Sequence, residues 1–466
     1  MRALYDMSSN LKTIESLFLS YREGTENPRD VTRQFLDNIE SKNSYYSAYQ
    51  SVWSEEAMEA ADLATKALAA GHDLGPLHGI PLALKDIFHV EDKVTTCGSV
   101  ELSQNKSEVT STVVLRLATA GAIILGKTKT VECAFGGWGT NQIMGTPRNP
   151  WDDDLHRIPG GSSSGSAVAV ASDLAVCAVG SDTGGSIRLP AAYCGLVGLK
   201  LTYGRLPNFG IMPLSQTLDS PGPLTRSVCD ALLMFEVMDG RENWKVSRDY
   251  KAGDNSFSCL TKGVKGLRIG ILSDSERQYC SADTLDAYDE AVRRLVTAGA
   301  HVNAFKNPQS YGNLADANGA ITAVEAYYNH KNLYENPKKK MDADVRARML
   351  SGKQYAAHDY FGLLQQRIGD IAVFSSQMKD LDVLATPTTI GQAPSIDDVD
   401  QNISPGYYTR PFNYLGMCAI SVPTGLDSQG LPTSIQIVGC ANQEYKVLQA
   451  GAAIEKIFGR LGKVVV

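Results

Sequence analysis

The chain of 466 residues lacks long apolar runs, paired cysteines and any broad basic patch. Without a stretch of about 18 uncharged apolar residues it has no candidate membrane-spanning helix. Its opening, MRALYDMSSNLKTIESLFLS, does not place a basic segment before an apolar block, so no secretory signal is expected. The nine cysteines are an odd number, scattered from Cys97 to Cys440 with no C-x-x-C, which reads as free thiols in a reducing compartment. Cys177 and Cys418 lie in apolar runs, where a thiol is usually a small core residue. Basic residues number 44 against 51 acidic, and PKKKM at 337–341 is their one cluster. With a net charge of −7 no nucleic-acid partner is expected. A cytoplasmic protein without membrane contact is the expectation.

What is present is ordinary globular composition, 43% hydrophobic and 20% charged, enough for a large core. The pattern from Asn10 to about Ala70 is helical. In SEEAMEAADLATKALAAG (54–71) Ser54 is the expected N-cap, with two acids in the first turn and Gly71 as terminator. Buried strands are then predicted in GIPLALKDIF (79–88) and GAIILGKTKT (121–130), on either side of a helical TSTVVLRLATAGA (110–122). The alternation returns with GLRIGILSD (266–274), TLDAYDEAVRRLVTAGAHV (284–302), LDVLATPTT (381–389), CAISVPTG (418–425) and SIQIVG (434–439). Such alternation predicts an α/β fold: a large mixed, mostly parallel β-sheet flanked by helices on both faces. The polar helical block at about 306–378 predicts an insertion over one end of that sheet.

Two bursts of small residues stand out, GGSSSGS (160–166) and SDTGGS (181–186). Neither fits a phosphate loop, which needs G-x-x-x-x-G-K-[ST], or G-x-G-x-x-G after a strand. GSSSG (161–165) matches G-x-S-x-G around Ser163, but the preceding DDDLHRIP is no strand, and the later histidines His301, His330 and His358 lie in polar surroundings. A conventional Ser-His-Asp esterase is thus an alternative of another class. A lysine serves as base to a serine if burial lowers its pKa from about 10.4 toward neutrality. Lys85, inside IPLALKDIF, is the candidate, and strand alternation points Asp86 to the opposite face. A structural ion pair at the sheet edge is the equal alternative for Lys85. Lys127 and Lys129 are rivals. In the second burst Thr183, Gly184 and Gly185 can turn backbone amides inward as an anion nest, with Ser186 directly after. Losing one such donor costs about 10²–10³ in rate.

Taken together, GIPLALKD, GTPRNPW (145–151), IPGGSSSGSAVAVA (158–171) and GSDTGGSIRLPAAYCGLVGLK (180–200) resemble the amidase signature family of serine hydrolases. The resemblance covers nearly the whole chain as one amidase domain, 1–466, densest over the signature core 76–235, with the 306–378 block as a helical cap on the active site. It implies Ser186 as nucleophile, Ser162 as the bridging serine whose preceding peptide is cis, and Lys85 as buried base. The amides of Thr183, Gly184, Gly185 and Ser186 would form the oxyanion hole. The implied chemistry cleaves an amide C–N bond through an acyl-serine and needs neither metal nor organic cofactor. Ser164 stands where many members have glycine, and Leu201 where proline is usual. Ser163 and Ser166 are expected to bond helix-start amides.

The same resemblance assigns the acyl pocket to ECAFGGWGTN (132–141), the insertion and YYTRPFNYLG (407–416), with Gly136, Gly137 and Trp138 foremost. Tyr327, Tyr328 and His330 are further pocket candidates. Arg157 and Arg410 are possible carboxylate binders, and Arg188 is expected to be structural. The expected partner is a small-molecule amide, in a homodimer; a small accessory protein is a further possibility. The rival within the family is the glutamine-hydrolysing A-type component of glutamyl-tRNA(Gln) amidotransferase. A catalytically dead binding protein is disfavoured by Lys85, Ser162 and Ser186 all being present.

Overall fold

Residues 11–240 and 257–462 are described by the structure, a computed structural model. The first half of the segment read for a secretory signal, and the first residue of the expected helical span, lie outside them. One sheet contains eleven described strands: β1 (Tyr49–Val52), β2 (Pro81–Lys85), β3 (Ile123–Thr128), β4 (Cys177–Asp182), β5 (Val197–Lys200) and β6 (Ser220–Thr225). The remainder are β7 (Arg268–Ile271), β8 (His301–Ala304), β9 (Val383–Pro387), β10 (Cys418–Leu426) and β11 (Pro432–Gly439). Their order is β1-β3-β2-β4-β6-β5-β10-β11-β9-β7-β8.

The mixed sheet and its flanking helices match the expectation from sequence, but parallel pairing is confined to two flanks. Helices Thr112–Thr119 and Ser164–Ala171 carry the chain over from β2 to β3 and from β3 to β4, giving parallel β3-β2-β4. Helix Ala282–Thr297 does the same between β7 and β8, and β9 pairs parallel to β7. Six of the ten described ladders are antiparallel, including the whole centre from β4 to β9. One reason is the tight β10–β11 hairpin, in which the Asp427 carboxylate accepts from the amides of Gln429 and Leu431, both at 2.8 Å. Gly430 completes that turn at φ +77°.

Two local expectations are corrected. β1 interrupts the span read as helical, because Tyr49–Val52 finds an antiparallel partner in β3. Ser54 is the first residue of helix Ser54–Ala69 rather than its cap. Trp53 holds the cap position without a side-chain bond, while Gly71 follows the helix at φ +81° as expected. β6 carries Pro221 and Pro223 yet lies inside the sheet; its ladder to β5 reaches only Leu224 and Thr225, so most of the strand is paired on one side.

All nine cysteines are free thiols, seven of them buried. Among the described residues no helix is long and apolar enough to cross a membrane. Helices Tyr311–Tyr334, Ala343–Ser351 and Ala357–Gln377 occupy the chain between β8 and β9, and the first packs against both others.

Candidate active site

Parallel pairing of β2 with β4, Leu84 opposite Val179, sets the carboxyl ends of both strands side by side. Open α/β sheets characteristically build their sites there. Lys85 ends β2 and is wholly buried; its Nζ donates to Ser162 Oγ at 2.7 Å and to Ser181 Oγ at 2.8 Å. Burial pulls its pKa down to about 7, against the opposing pull of Cys97, Asp219 and Asp182. No carboxylate forms an ion pair with Lys85 among the described residues. Asp86 points to the other face, as strand alternation requires, and pairs with Lys127 at 3.4 Å. Lys129 is engaged by Ser47 Oγ at 2.6 Å and the Met144 carbonyl at 2.8 Å. Neither rival lysine reaches the serines.

The first burst is glycine-rich because backbone crowds it. A Cβ at Gly161 would lie 2.6 Å from the Gly139 nitrogen, and one at Gly160 (φ +75°) would lie 2.7 Å from the Tyr193 ring. The Gly161–Ser162 peptide is cis. The Ser162 carbonyl accepts from Thr130 Oγ1 at 2.8 Å and from the Val131 amide at 3.3 Å. The next serines are structural, but they bind the sheet rather than helix-start amides. Ser163 Oγ exchanges hydrogen bonds with the backbone of Ser181, and Ser166 Oγ donates to Val179 of β4, also meeting Thr128 of β3. Ser163 thus packs beneath β4, off the cavity described below.

In the second burst Ser186 is 8% exposed and its carbonyl accepts from the Ser163 amide at 3.3 Å. Its hydroxyl has no hydrogen-bond partner among the described residues. The buried Asp182 carboxylate accepts from the amides of Gly185 at 2.7 Å and Ile187 at 3.2 Å, and from Arg188 at 2.9 and 3.0 Å. Burial opposes its ionisation, but Arg188, Lys200 and Asn413 together outweigh that and hold Asp182 well below the usual carboxylate range. The expected four-amide nest loses one member: Gly185 N–H points back to Asp182, while the amides of Thr183, Gly184 and Ser186 meet no acceptor among the described residues. The Gly184 carbonyl is held by Thr409 Oγ1 at 2.8 Å and the Thr183 carbonyl by Asn318 Nδ2 at 3.1 Å. Arg188 also donates to Gln436 at 2.6 Å and the Thr409 carbonyl at 3.1 Å, in keeping with its structural reading.

Ser186, Thr183 and Gly184 open onto a cavity of about 350 Å³ whose lining also includes Gly136, Gly137 and Trp138. Trp138 both packs and lines: its Nε1 donates to the Ile403 carbonyl at 2.8 Å, and the residue borders the cavity. Helix Tyr311–Tyr334 contributes Asn318, Gly319, Thr322 and Ala323. Tyr327, Tyr328 and His330 lie one to two turns further on and do not line it. Tyr328 is 71% exposed, and His330 bonds the Pro213 carbonyl at 2.8 Å. Arg157 is also elsewhere, paired with Asp152 at 2.7 Å, whereas Arg410 does line the cavity. No histidine lines it, which leaves the Ser-His-Asp alternative without a base. Sequence reading missed Ser181, Asp182 and Arg348. The signal for Arg348 was an arginine between Val345 and Met349 on the buried face of a helix; Ser181 and Asp182 were polar residues closing an apolar strand.

The Amidase family model matches residues 30–448. The A-type component of glutamyl-tRNA(Gln) amidotransferase from Alkaliphilus metalliredigens (strain QYMF) is 32% identical, over 96% of each chain. The 2-amino-5-chloromuconic acid deaminase of Comamonas testosteroni is 34% identical, over 92% of each. Among solved structures, one from a vestigial protein complex bearing on the origins of an s-triazine catabolic enzyme superposes with a TM-score of 0.88 at 29% identity, covering 97% of this chain and 99% of that one.

Proposed function

The chain belongs to the amidase family of amide-cleaving C–N hydrolases, and we propose that it carries out this chemistry on small amides through Ser186, Ser162 and Lys85. The observation that carries the reading is the 2.7 Å hydrogen bond between Ser162 and a wholly buried lysine held near neutrality. A neutral amine at that position takes the Ser162 proton as Ser162 takes that of Ser186. Ser186 Oγ attacks the amide carbonyl. The developing oxyanion is met by the amides of Thr183, Gly184 and Ser186, while Asp182, by holding Gly185, fixes the loop that presents them. The proton returns along the same relay to the leaving nitrogen, and water hydrolyses the acyl-serine by the reverse path.

The remaining expectations belong to this reading: one amidase unit with helices Tyr311–Tyr334, Ala343–Ser351 and Ala357–Gln377 over the cavity, a homodimer, and a cytoplasmic setting without nucleic acid. A second reading, the glutamine-hydrolysing component of an amidotransferase with an accessory partner, is favoured by the 32% identity to such a component. Glutaminase activity appearing only with a co-purified small partner protein would establish it.

The first experiment is intact-protein mass after treatment with a fluorophosphonate, on wild type and Ser186→Ala. One adduct in wild type, absent from the variant, is the expected result. An adduct that persists in Ser186→Ala overturns the nucleophile assignment.

A further inference from the structure

The cavity is lopsided in charge. Of the ionisable side chains that line it, two are arginines, Arg348 and Arg410, and none is an aspartate or glutamate among the described residues. Arg348 spends its donors on neutral acceptors, the Phe135 carbonyl at 3.0 Å and Gln401 Oε1 at 3.3 Å. Arg410 makes no side-chain hydrogen bond or ion pair among the described residues. Burial pulls it below its usual value, and Arg348 nearby pulls the same way; the opposing charge, Asp316, is exposed and forms no ion pair with it.

Two glycines make room for that guanidinium. A Cβ at Gly184 would lie 3.1 Å from Arg410 Cγ and 3.6 Å from its Nε, and one at Gly319 would lie 3.4 Å from a terminal guanidinium nitrogen. Gly184 belongs to the loop presenting Ser186, so the unpaired cation stands two residues from the proposed nucleophile. Also on the lining, a Cβ at Gly136 would lie 3.3 Å from a guanidinium nitrogen of Arg348. A half-buried cation without an ion-pair partner is costly, so a site that keeps one ready is built for an anion. Guanidinium matches carboxylate in geometry as well as in charge.

Resting on the amidase reading, we infer that the substrates are short amides bearing a carboxylate on the acyl portion, which Arg410 anchors, with Arg348 as a second cation on the lining. The class is the monoamide of a small dicarboxylic acid: the neutral end presents its carbonyl to Ser186 and the charged end fills the arginine side. Free glutamine fits less well, because its ammonium group would enter a cavity holding two cations and no lining carboxylate.

The test compares kcat/KM for ammonia release from oxamate, malonamate, succinamate and glutaramate with that from the uncharged primary amide of matched length. It uses wild type, Arg410→Gln and Arg410→Lys, each first titrated with fluorophosphonate. In wild type at least one anionic amide is expected to exceed its neutral counterpart by about 10- to 100-fold, the range of one charge-assisted hydrogen-bonded contact. In Arg410→Gln that ratio collapses toward one, and Arg410→Lys restores part of it. If Ser186 is labelled but no anionic amide exceeds its neutral partner, or if the ratio survives in Arg410→Gln, the inference is overturned while the amidase reading stands. If Ser186 is not labelled, it is the reading beneath that fails. Should Arg410→Gln not fold, the wild-type ratio and Arg410→Lys still decide.

Discussion

Lys85 and Lys127 sit on adjacent parallel strands, both with wholly buried side chains, and only the company they keep differs. Lys127 has a carboxylate, Asp86, at 3.4 Å, and also donates to Thr95 and the Val94 carbonyl. Lys85 has two hydroxyls and no ion pair. Burial pushes both lysines down, but at Lys127 Asp86 pulls back from close range, whereas at Lys85 the opposing charges act from farther away. A buried lysine given a carboxylate becomes a strut; one given serine hydroxyls becomes a base.

The sharpest way to break this comparison is Lys85→Met. Loss of a general base should lower kcat/KM by about 10²–10⁴. The pH profile adds a separate check. Lys85 accepts a proton only when neutral, so wild-type kcat/KM should fall as pH drops below about 7 and level off above it. In Lys85→Met that inflection should vanish; if it persists at wild-type rates, Lys85 is another strut.

Lys127→Met asks the reverse question. It leaves Asp86 buried and unpaired, so urea unfolding should show a loss of about 3–5 kcal/mol. Turnover per labelled Ser186 should stay within a few-fold of wild type. Adding Asp86→Asn should recover most of the stability, because the orphaned charge is then gone. A variant that folds normally but fails in turnover would place Lys127 in the relay and dissolve the distinction. Ser181→Ala has the smallest expected effect. Removing one of the two Lys85 hydroxyl contacts should reduce kcat/KM about 2- to 10-fold, the size of a single hydrogen bond. A larger loss, with the pH inflection moved, would make Ser181 the principal anchor of the base.

Much of the sheet was legible because strands buried on both faces are largely apolar, as in PLALK and CAISVPTGL. β1, β4, β5 and β6 were not: β1 is four residues long beside helices, β4 and β5 are short and interrupted by glycine, and β6 carries two prolines that local propensity counts against a strand. The parallel content was overread because alternation of helix and strand does not report on the hairpin-linked centre. In the candidate site, Lys85 and Ser186 were legible because a lysine in an apolar run and a serine directly after paired glycines are locally anomalous, whereas Ser162 was assigned by the resemblance to the amidase signature family. Arg348 was hidden because an arginine on a helix is locally ordinary.

The sequence alone determined which groups could react and where backbone had to be bare. Glycine and serine at 160–166 and 181–186 are demanded by atoms that crowd within about 3 Å, and such demands leave local marks. Tertiary structure decided the rest: which lysine lacks a carboxylate, which amides of the second burst are left to meet an oxyanion, and which arginine faces the cavity unpaired. Those outcomes depend on pairs far apart in the chain, 77 residues between Lys85 and Ser162 and 225 between Gly184 and Thr409. Charge and proton affinity in an interior are set by whatever lies within a few ångströms, and only the fold chooses those neighbours.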